Sequence, residues 1–279
     1  MSEGEFRIMG VVNVTPDSFS DGGRYLDAQA AIDHGLKLDS EGAAILDVGG
    51  ESTRPGAAPV PKAEELRRVI PVIEELVARG TNAQISIDTA KAAVAVRALE
   101  AGAPLVNDVT ALRGDPDMAE VVARAGADCC LMHMLGDPRT MQRDPHYDDV
   151  VGDIKAFLSE RVEFAVAAGI AEERILLDPG IGFGKTIEHN LELLRRLAEF
   201  LDLGRPVLIG TSRKSFLGRL TGREDPDDRL AATIATNVLA YERGARVFRV
   251  HDVAPLRDAL TVAAATVTAP WMTRTSTTK

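Results

Sequence analysis

Short apolar segments alternate with longer segments of helical periodicity along the whole chain. The predicted strands cover residues 7–12, 44–48, 84–87, 104–106, 127–132, 174–177, 206–210 and 245–250. The predicted helices cover residues 30–41, 62–78, 91–101, 116–125, 148–168, 188–200, 227–243 and 255–267. Strands separated by helices pair in parallel through right-handed crossovers. Eight such units can close into a (β/α)8 TIM barrel.

The alternative to a barrel is an open, doubly wound sheet. Such a sheet usually has fewer strands and carries a Gly-rich nucleotide-binding turn after its first strand. Neither a GxGxxG nor a GxxxxGK[ST] pattern occurs in this chain. The sequence therefore predicts an α/β fold in one domain spanning residues 1–279, with the barrel over about residues 6–270 and a polar, disordered tail at 273–279.

The connections after strands 1, 2 and 5 are long, and long connections are often functional. The first, residues 13–25, is polar and Gly-rich and is predicted to be a mobile lid. The second contains Gly49 and Gly50 followed by Arg54, a combination that can grip a phosphate through backbone N–H groups and a forked cation. A solvated turn is an equal alternative for this second loop.

Composition excludes several classes of function. The net charge of −10, without a cluster of Lys and Arg, disfavours binding to nucleic acid. No segment reaches the roughly 18 apolar residues of a membrane span, and residues 1–6 lack an apolar signal core. Cys129 and Cys130 are adjacent in an apolar segment, which is typical of buried thiols. We therefore expect a cytoplasmic protein.

Polar residues stand where the predicted strands end, and strand ends of a barrel converge on one face. These residues are Asp88, Asn107, His133, Asp178, Lys214 and Arg249. Any acidic or amide residue here could be a helix N-cap, which we expect of Asp108. For Asp88, Asn107 and Asp178 a shared ligand is favoured, since buried acceptors need donors, and an aminopyrimidinone ring supplies them.

Cations near the ends of strands 7 and 8 predict an anion site, because the loops there often hold a phosphate in such barrels. Arg213 is equally consistent with a surface salt bridge. His133 is interpreted as a hydrogen-bonded wall residue, since its neighbours lack zinc-ligand spacing. No Ser lies in a nucleophile elbow.

These motifs, in this order, resemble the dihydropteroate synthase family over nearly the whole chain. The resemblance rests on residues 10–23, 47–56, 86–89, 107–109, 131–142, 177–185, 210–218 and 249–253. Leu135 and Thr110 depart from the family pattern, at positions without an assigned role in chemistry.

The resemblance implies a set of site residues. Those expected to bind the pterin are Asp88, Asn107, Met132, Asp178, Phe183 and Lys214. Those expected to bind pyrophosphate are Asn13, Thr53, Arg249 and His251, with Asn13 also reaching a bound Mg²⁺. Those expected around aminobenzoate are Phe19, Thr53, Arg54, Pro55, Ser212 and Lys214. Those expected to act in catalysis are Asp21, Arg54 and Lys214.

The implied reaction joins 6-hydroxymethyl-7,8-dihydropterin pyrophosphate to para-aminobenzoate in folate biosynthesis. Pyrophosphate would leave before the amine attacks, and Asp21 would stabilise the resulting cation. The resemblance also implies Mg²⁺ as cofactor, a homodimer and sensitivity to sulfonamides. Two alternatives stay open: a pterin-binding methyltransferase of the methyltetrahydrofolate type, and a pterin-binding paralogue without catalysis.

Overall fold

The computed structural model describes residues 5–15, 24–54 and 56–268. Its strands are β1 (Arg7–Asn13), β2 (Ile45–Gly49), β3 (Gln84–Asp88), β4 (Leu105–Asp108), β5 (Asp128–Met132), β6 (Ile175–Asp178), β7 (Leu208–Ile209) and β8 (Val247–Val250). All paired strands are parallel, in the order β6-β5-β4-β3-β2-β1-β8-β7. A parallel bridge between Leu177 of β6 and Val207, the residue directly before β7, closes the barrel. The predicted TIM barrel is confirmed.

The helices surround this sheet. They are α1 (Arg24–Ser40), α2 (Lys62–Ala78), α3 (Ala92–Glu100), α4 (Met118–Ala125), α5 (Val150–Ala167), α6 (Ile187–Arg195), α7 (Ser215–Thr221), α8 (Leu230–Glu242) and α9 (Val253–Thr268). None of the described helices is long and apolar enough to cross a membrane.

Several stretches of helix differ from the prediction. Helix α1 begins at Arg24, within the predicted loop 13–25. The predicted helix 227–243 begins as the 3₁₀-helix Pro226–Arg229 and becomes α-helical at Leu230. The predicted helix 188–200 ends as an α-helix at Arg195 and is followed by the 3₁₀-helix Leu197–Leu203. Its two buried side chains, Leu197 and Phe200, are three residues apart, a spacing that 3₁₀ geometry places on one face. The short helix α7 lies in a stretch predicted to be loop.

The two-residue period of the strands divides the core into two layers. Outward-facing residues such as Leu46 and Val48 pack against the helices. Inward-facing residues form a separate apolar cluster in the barrel, consisting of Met9, Ile45, Leu105, Cys130, Leu176, Leu208 and Val247.

For four of these seven inward-facing residues, the residue two positions later on the same face is polar. This relation links Ile45 to Asp47, Leu105 to Asn107, Leu176 to Asp178 and Val247 to Arg249. The barrel interior is therefore apolar towards the amino ends of the strands and polar towards their carboxyl ends. The polar end is the candidate site.

Candidate active site

Asp47 lies at the centre of the polar end of the barrel, and it is fully buried. Its Oδ1 accepts a hydrogen bond from Ser86 Oγ at 2.6 Å. Its Oδ2 accepts from Asn107 Nδ2 at 2.9 Å and from Arg249 Nε at 2.7 Å. These partners come from strands β3, β4 and β8, so one carboxylate joins four strands. A buried carboxylate with this many donors fixes the orientation of the groups around it.

Asp47 and Ser86 were not among the predicted site residues. The signal was present, since Asp47 occupies the same inward face as Ile45, two residues earlier. Recognising it required knowing which face of β2 points into the barrel.

Arg249 bridges two acidic residues of neighbouring strands. Its Nε bonds Asp47, and its Nη2 donates to Asp88 Oδ2 at 2.8 Å. Burial lowers the pKa of Arg249, but the charges of Asp47 and Asp88 outweigh burial, and the net pKa is raised. Burial, with the nearby charge of Asp47 adding to its effect, raises the pKa of Asp88 to about 7 against the lowering effect of Arg249.

Asp178 is held by the backbone of the loop that follows β6. The N–H of Gly180 donates to Asp178 Oδ1 at 2.7 Å, and the N–H of His133 donates to the Asp178 carbonyl at 3.0 Å. Gly180 has φ +69, and a Cβ there would lie 1.9 Å from the His133 carbonyl oxygen, so only glycine permits this turn. Burial raises the pKa of Asp178, and the charge of Lys214 opposes that shift.

Lys214 lies between the loops that follow β6 and β7. Its Nζ donates to the carbonyl of Ile181 and lies 4.4 Å from the centre of the Phe183 ring. Burial lowers the pKa of Lys214 to about 8, and Asp178 works against that shift. A lysine cation held over an aromatic ring and close to a carboxylate can donate to a polar, flat ligand.

Apolar side chains form one wall beside these polar groups. Met132 packs with Val109, Met134 and Met141, and Phe183 lies against this cluster. Met132 and Phe183 therefore belong to the same apolar wall, as a slot for a flat ring requires.

Ser212 and His251 meet at the ends of β7 and β8. Ser212 Oγ and His251 Nδ1 are 2.9 Å apart. Burial lowers the pKa of His251 to about 3, and the charges of Arg249 and Arg213 add to the effect. The imidazole is therefore neutral.

His133 and Lys185 form a buried pair behind Asp178. The Nζ of Lys185 lies 3.0 Å from His133 Nδ1 and donates to the Phe183 carbonyl at 2.9 Å. Burial, with the charges of Lys185 and Arg113, lowers the pKa of His133 to about 2. This agrees with the interpretation of His133 as a hydrogen-bonded wall residue.

Arg213 forms salt bridges rather than lying open to a ligand. It donates to both carboxylate oxygens of Asp252, at 3.1 and 2.8 Å, and it also pairs with Asp227. Of the two interpretations left open by the sequence, the structure favours the salt bridge.

The predicted N-cap role of Asp108 is wrong. Helix α4 begins ten positions later, at Met118, with Asp117 as its N-cap. Asp108 instead accepts from the N–H groups of Thr110 and Leu112, at 2.8 and 2.9 Å. It stabilises a loop in which Leu112 has φ +62. An Asp can cap such a turn as well as a helix, and the sequence does not distinguish the two.

Asp88, Asn107 and Asp178 do not cap the helices that follow their strands, whose N-caps are Lys91, Asp117 and Thr186. Strand register places Asp88 opposite Asn107, and Met132 opposite Asp178. These predicted pterin-site residues therefore lie together at the polar end of the barrel.

The remaining predicted residues lie at the rim or outside the described chain. Asn13, half-buried, ends β1 opposite Gly49. Thr53 is half-buried and Arg54 is exposed in the loop after β2. Phe19, Asp21 and Pro55 lie outside the described residues, as does the tail at 273–279.

The two departures from the family pattern have structural roles. Thr110 Oγ1 donates to Asp108 at 2.7 Å and accepts from the N–H of Gly114 at 2.8 Å. Leu135 packs so closely on Gly184 that a Cβ there would lie 2.6 Å from Leu135 Cβ.

Comparisons with known proteins identify the family. Residues 9–251 match the pterin binding enzyme family. The chain is 47% identical over 262 residues to the dihydropteroate synthase of Escherichia coli strain K12, covering 94% of this chain and 92% of that protein. Its fold matches Xanthomonas albilineans dihydropteroate synthase with 4-aminobenzoic acid at TM-score 0.91 and 52% identity, covering 97% and 96% of the two chains. A structure of the Xanthomonas albilineans enzyme in complex with 7,8-dihydropteroate matches at TM-score 0.88 and 49% identity, covering 97% of each chain. The chain belongs to the dihydropteroate synthase family of pterin-binding TIM-barrel enzymes.

Proposed function

We propose that this protein is a transferase that condenses 6-hydroxymethyl-7,8-dihydropterin pyrophosphate with para-aminobenzoate to give 7,8-dihydropteroate and pyrophosphate. The observation that carries the proposal is the set of buried acceptors, Asp88, Asn107 and Asp178, opposite the donor Lys214. The relatives with bound 4-aminobenzoic acid and 7,8-dihydropteroate support the same substrates.

The hydrogen bonds within the site determine which atoms are left to recognise the pterin. Asn107 uses Nδ2 to reach Asp47, so its Oδ1 is the atom that can accept from a ring N–H. Asp88 uses Oδ2 for Arg249, and Asp178 uses Oδ1 for Gly180, which leaves one oxygen of each carboxylate for the ligand. Three acceptors match the amino and N–H donors of an aminopyrimidinone, and Lys214 matches its carbonyl.

The pyrophosphate would lie on the β8 side of the site, against Arg249, His251, Asn13 and Thr53. Arg249 has a third nitrogen, Nη1, beyond the two that hold Asp47 and Asp88. Neutral His251, bonded to Ser212 through Nδ1, would donate through Nε2–H. These donors would stabilise the negative charge that develops as the pyrophosphate departs.

The donor groups fit Mg²⁺ as an ion carried with the substrate. Within the described residues, no three His, Cys, Asp or Glu side chains gather as a metal site. Mg²⁺ is commonly held by one or two protein oxygens together with substrate phosphates, and the amide oxygen of Asn13 suits that arrangement. When bound, Mg²⁺ would neutralise charge on the leaving group.

The chemistry proposed needs no protein nucleophile. The bond between the pterin methylene carbon and the pyrophosphate oxygen breaks first, and the neutral aniline nitrogen then forms the new C–N bond and releases a proton. Asp21 would stabilise the intermediate cation, and Arg54 with Ser212, Phe19, Thr53 and Pro55 would hold the aminobenzoate. Water must be excluded, because it competes for the cation.

The assembly and location of the protein are also proposals. Apolar side chains on α8 and α9 are exposed, including Leu239 at 44% and Val262 at 67%, which supports a homodimer formed through this face. The buried, unpaired thiols of Cys129 and Cys130 support a reducing, cytoplasmic location. Because sulfonamides mimic aminobenzoate, we propose that they compete for its site.

Product analysis tests the proposed reaction. Purified protein is incubated with dihydropterin pyrophosphate, para-aminobenzoate and Mg²⁺, and dihydropteroate is measured by chromatography. A parallel sample contains methyltetrahydrofolate and a thiol acceptor. We expect dihydropteroate in the first sample and no methyl transfer in the second. Methyl transfer without dihydropteroate, or pterin binding with neither product, would overturn the proposal.

A further inference from the structure

The carboxylate of Glu51 joins the two ends of the loop that follows β2. This loop, called loop 2 here, comprises residues 50–54 and 56–61, and it carries Thr53 and Arg54. Oε1 of Glu51 accepts from the N–H of Val60 at 3.0 Å. A single side chain at the start of the loop therefore bonds the backbone at its end. Residues 52–54 and 56–59 are therefore confined between the two ends that this bond joins.

The second oxygen of Glu51 is bound to the helices outside the barrel. Oε2 of Glu51 accepts from Lys91 Nζ, and the same ammonium donates to Glu65 Oε2. Glu65 is fully buried on α2, and its Oε1 accepts from Thr89 Oγ1 at 2.6 Å. Thr89 directly follows the pterin-site residue Asp88. We call Glu51, Val60, Lys91, Glu65 and Thr89 the loop-2 cluster.

The charges of the loop-2 cluster explain why Lys91 is firmly held. A buried carboxylate such as Glu65 needs a cation to offset its desolvation. Burial lowers the pKa of Lys91, but the hydrogen bonds that its ammonium donates to Glu51 and Glu65 outweigh burial, and the net pKa is raised. The charged ammonium of Lys91 is therefore bound to Glu65 of α2 and to Glu51 of loop 2, and it links the loop to the helix.

The first residue of loop 2, Gly50, also contacts α2 directly. Arg68 Nη1 donates to the carbonyl of Gly50 at 2.8 Å. A Cβ on Gly50 would lie 2.8 Å from Val69 Cγ1, so only glycine allows the backbone to approach α2 this closely. The backbone of Gly50, directly before Glu51, therefore has little conformational freedom.

We propose that Glu51 is a positioning residue, anchored by Lys91, that holds Thr53 and Arg54 in place at the aminobenzoate end of the site. Glu51 acts through the loop rather than by touching a substrate. The inference rests on the proposed function, because it assigns the aminobenzoate to loop 2. Loss of Glu51 is therefore expected to weaken the binding of aminobenzoate and to leave the binding of the pterin ring unchanged. The protein groups that would accept from the pterin ring lie on β3, β4 and β6.

Two substitutions separate the bonds of Glu51. Glu51→Ala removes both the bond to Val60 and the ion pair with Lys91, whereas Glu51→Gln keeps an oxygen for Val60 and loses the charge. Both leave the buried pair of Lys91 with Glu65 intact, so the fold is expected to persist. Glu75→Gln on α2 is the matched control. It also removes the charge of one glutamate, but from an exposed ion pair with Arg79 at the end of α2.

We expect Glu51→Ala to raise the KM for aminobenzoate about tenfold, because a displaced loop misplaces its contacts. Pterin affinity, measured by calorimetry, should stay within about twofold of wild type, since the groups that bind the ring are untouched. Glu51→Gln should give an intermediate KM. In hydrogen exchange, the amides of residues 52–54 and 56–59 should exchange faster in Glu51→Ala and stay unchanged in Glu75→Gln.

The two kinds of failure can be told apart. Unchanged exchange in loop 2 together with an unchanged KM in Glu51→Ala would overturn the role of Glu51. A larger loss of pterin affinity than of aminobenzoate affinity would overturn it as well. A wild-type protein that forms no dihydropteroate would instead refute the proposed function, while the exchange measurement would still decide whether Glu51 holds the loop.

Discussion

Ser212 and His251 are joined twice, through the backbone N–H of His251 and through its imidazole ring. The backbone N–H of His251 donates to Ser212 Oγ at 3.2 Å, and the same Oγ lies 2.9 Å from His251 Nδ1. We infer that Oγ, which accepts from the backbone, donates its one proton to Nδ1. The ring proton then resides on Nε2, which is the form that can donate to a phosphate oxygen.

Replacing Ser212 with Ala should therefore weaken the pyrophosphate site. The imidazole loses its fixed tautomer and orientation, and we expect inorganic pyrophosphate to bind about tenfold more weakly, as for the loss of one buried hydrogen bond. Calorimetry with pyrophosphate measures this directly. Ser215→Ala, an exposed serine three residues away, is the control. Equal pyrophosphate affinity in Ser212→Ala and wild type would remove His251 from the site.

Lys214 should make pterin binding sensitive to alkaline pH. Burial lowers the pKa of Lys214 to about 8. Above that pH the unliganded lysine loses its positive charge, which weakens the hydrogen bond that it would donate to the pterin carbonyl, so pterin affinity should fall as the pH rises through 8. In Lys214→Met, pterin should bind more weakly at pH 7, and this alkaline fall should be absent. The same pH dependence in wild type and Lys214→Met would assign it to the ligand.

Arg249 should be required for stability as well as for binding. Arg249→Met would leave Asp47 and Asp88 buried without their cation, at a cost of about 3–5 kcal/mol. Burial already raises the pKa of Asp88 to about 7, and removal of Arg249 would raise it further. A carboxyl whose folded pKa exceeds its unfolded pKa favours unfolding when it is ionised. Relative to wild type, the variant should therefore recover stability as the pH falls towards 7, and its remaining deficit should be constant below pH 7, where Asp88 is protonated in both proteins.

Denaturant unfolding of wild type and Arg249→Met at pH 8 and pH 5.5 checks this sign. The double variant Arg249→Met, Asp88→Asn should recover part of the lost stability at pH 8 without recovering activity. A stability deficit independent of pH would mean that Arg249 contributes by packing rather than by its charge.

Removal of divalent cations should abolish turnover without unfolding the protein. Within the described residues the ion has no protein cage, so chelation should leave Tm unchanged in the absence of substrate. Activity should return on addition of Mg²⁺. Full turnover in excess chelator would show that the donors of the site, including Arg249 and His251, stabilise the leaving group unaided.

The sequence predicted those features that follow from local periodicity. The position of Asn107, Asp178 and Arg249 at the ends of predicted strands was enough to place them at one end of a barrel. Arg213 could not be resolved in this way, because a salt bridge depends on which acidic residues the fold brings near it.

The contacts that the sequence did not predict join distant parts of the chain. Arg249 and Asp47 are 202 residues apart, and Lys91 and Glu51 are 40 residues apart. Such pairs become visible only when strands and helices are placed side by side. Asp108 was misassigned for a related reason, since turns and helix N-termini both favour Asp.

Formation of dihydropteroate by wild type beside Asp178→Asn tests the central claim most directly. The asparagine keeps the size of the side chain but presents a donor where the pterin needs an acceptor, at a cost of about 2 kcal/mol or more in pterin binding. We expect wild type to release dihydropteroate and pyrophosphate in equal amounts, and a folded Asp178→Asn to require far more pterin substrate. No product from wild type, or full activity of Asp178→Asn at low pterin concentration, would contradict the account.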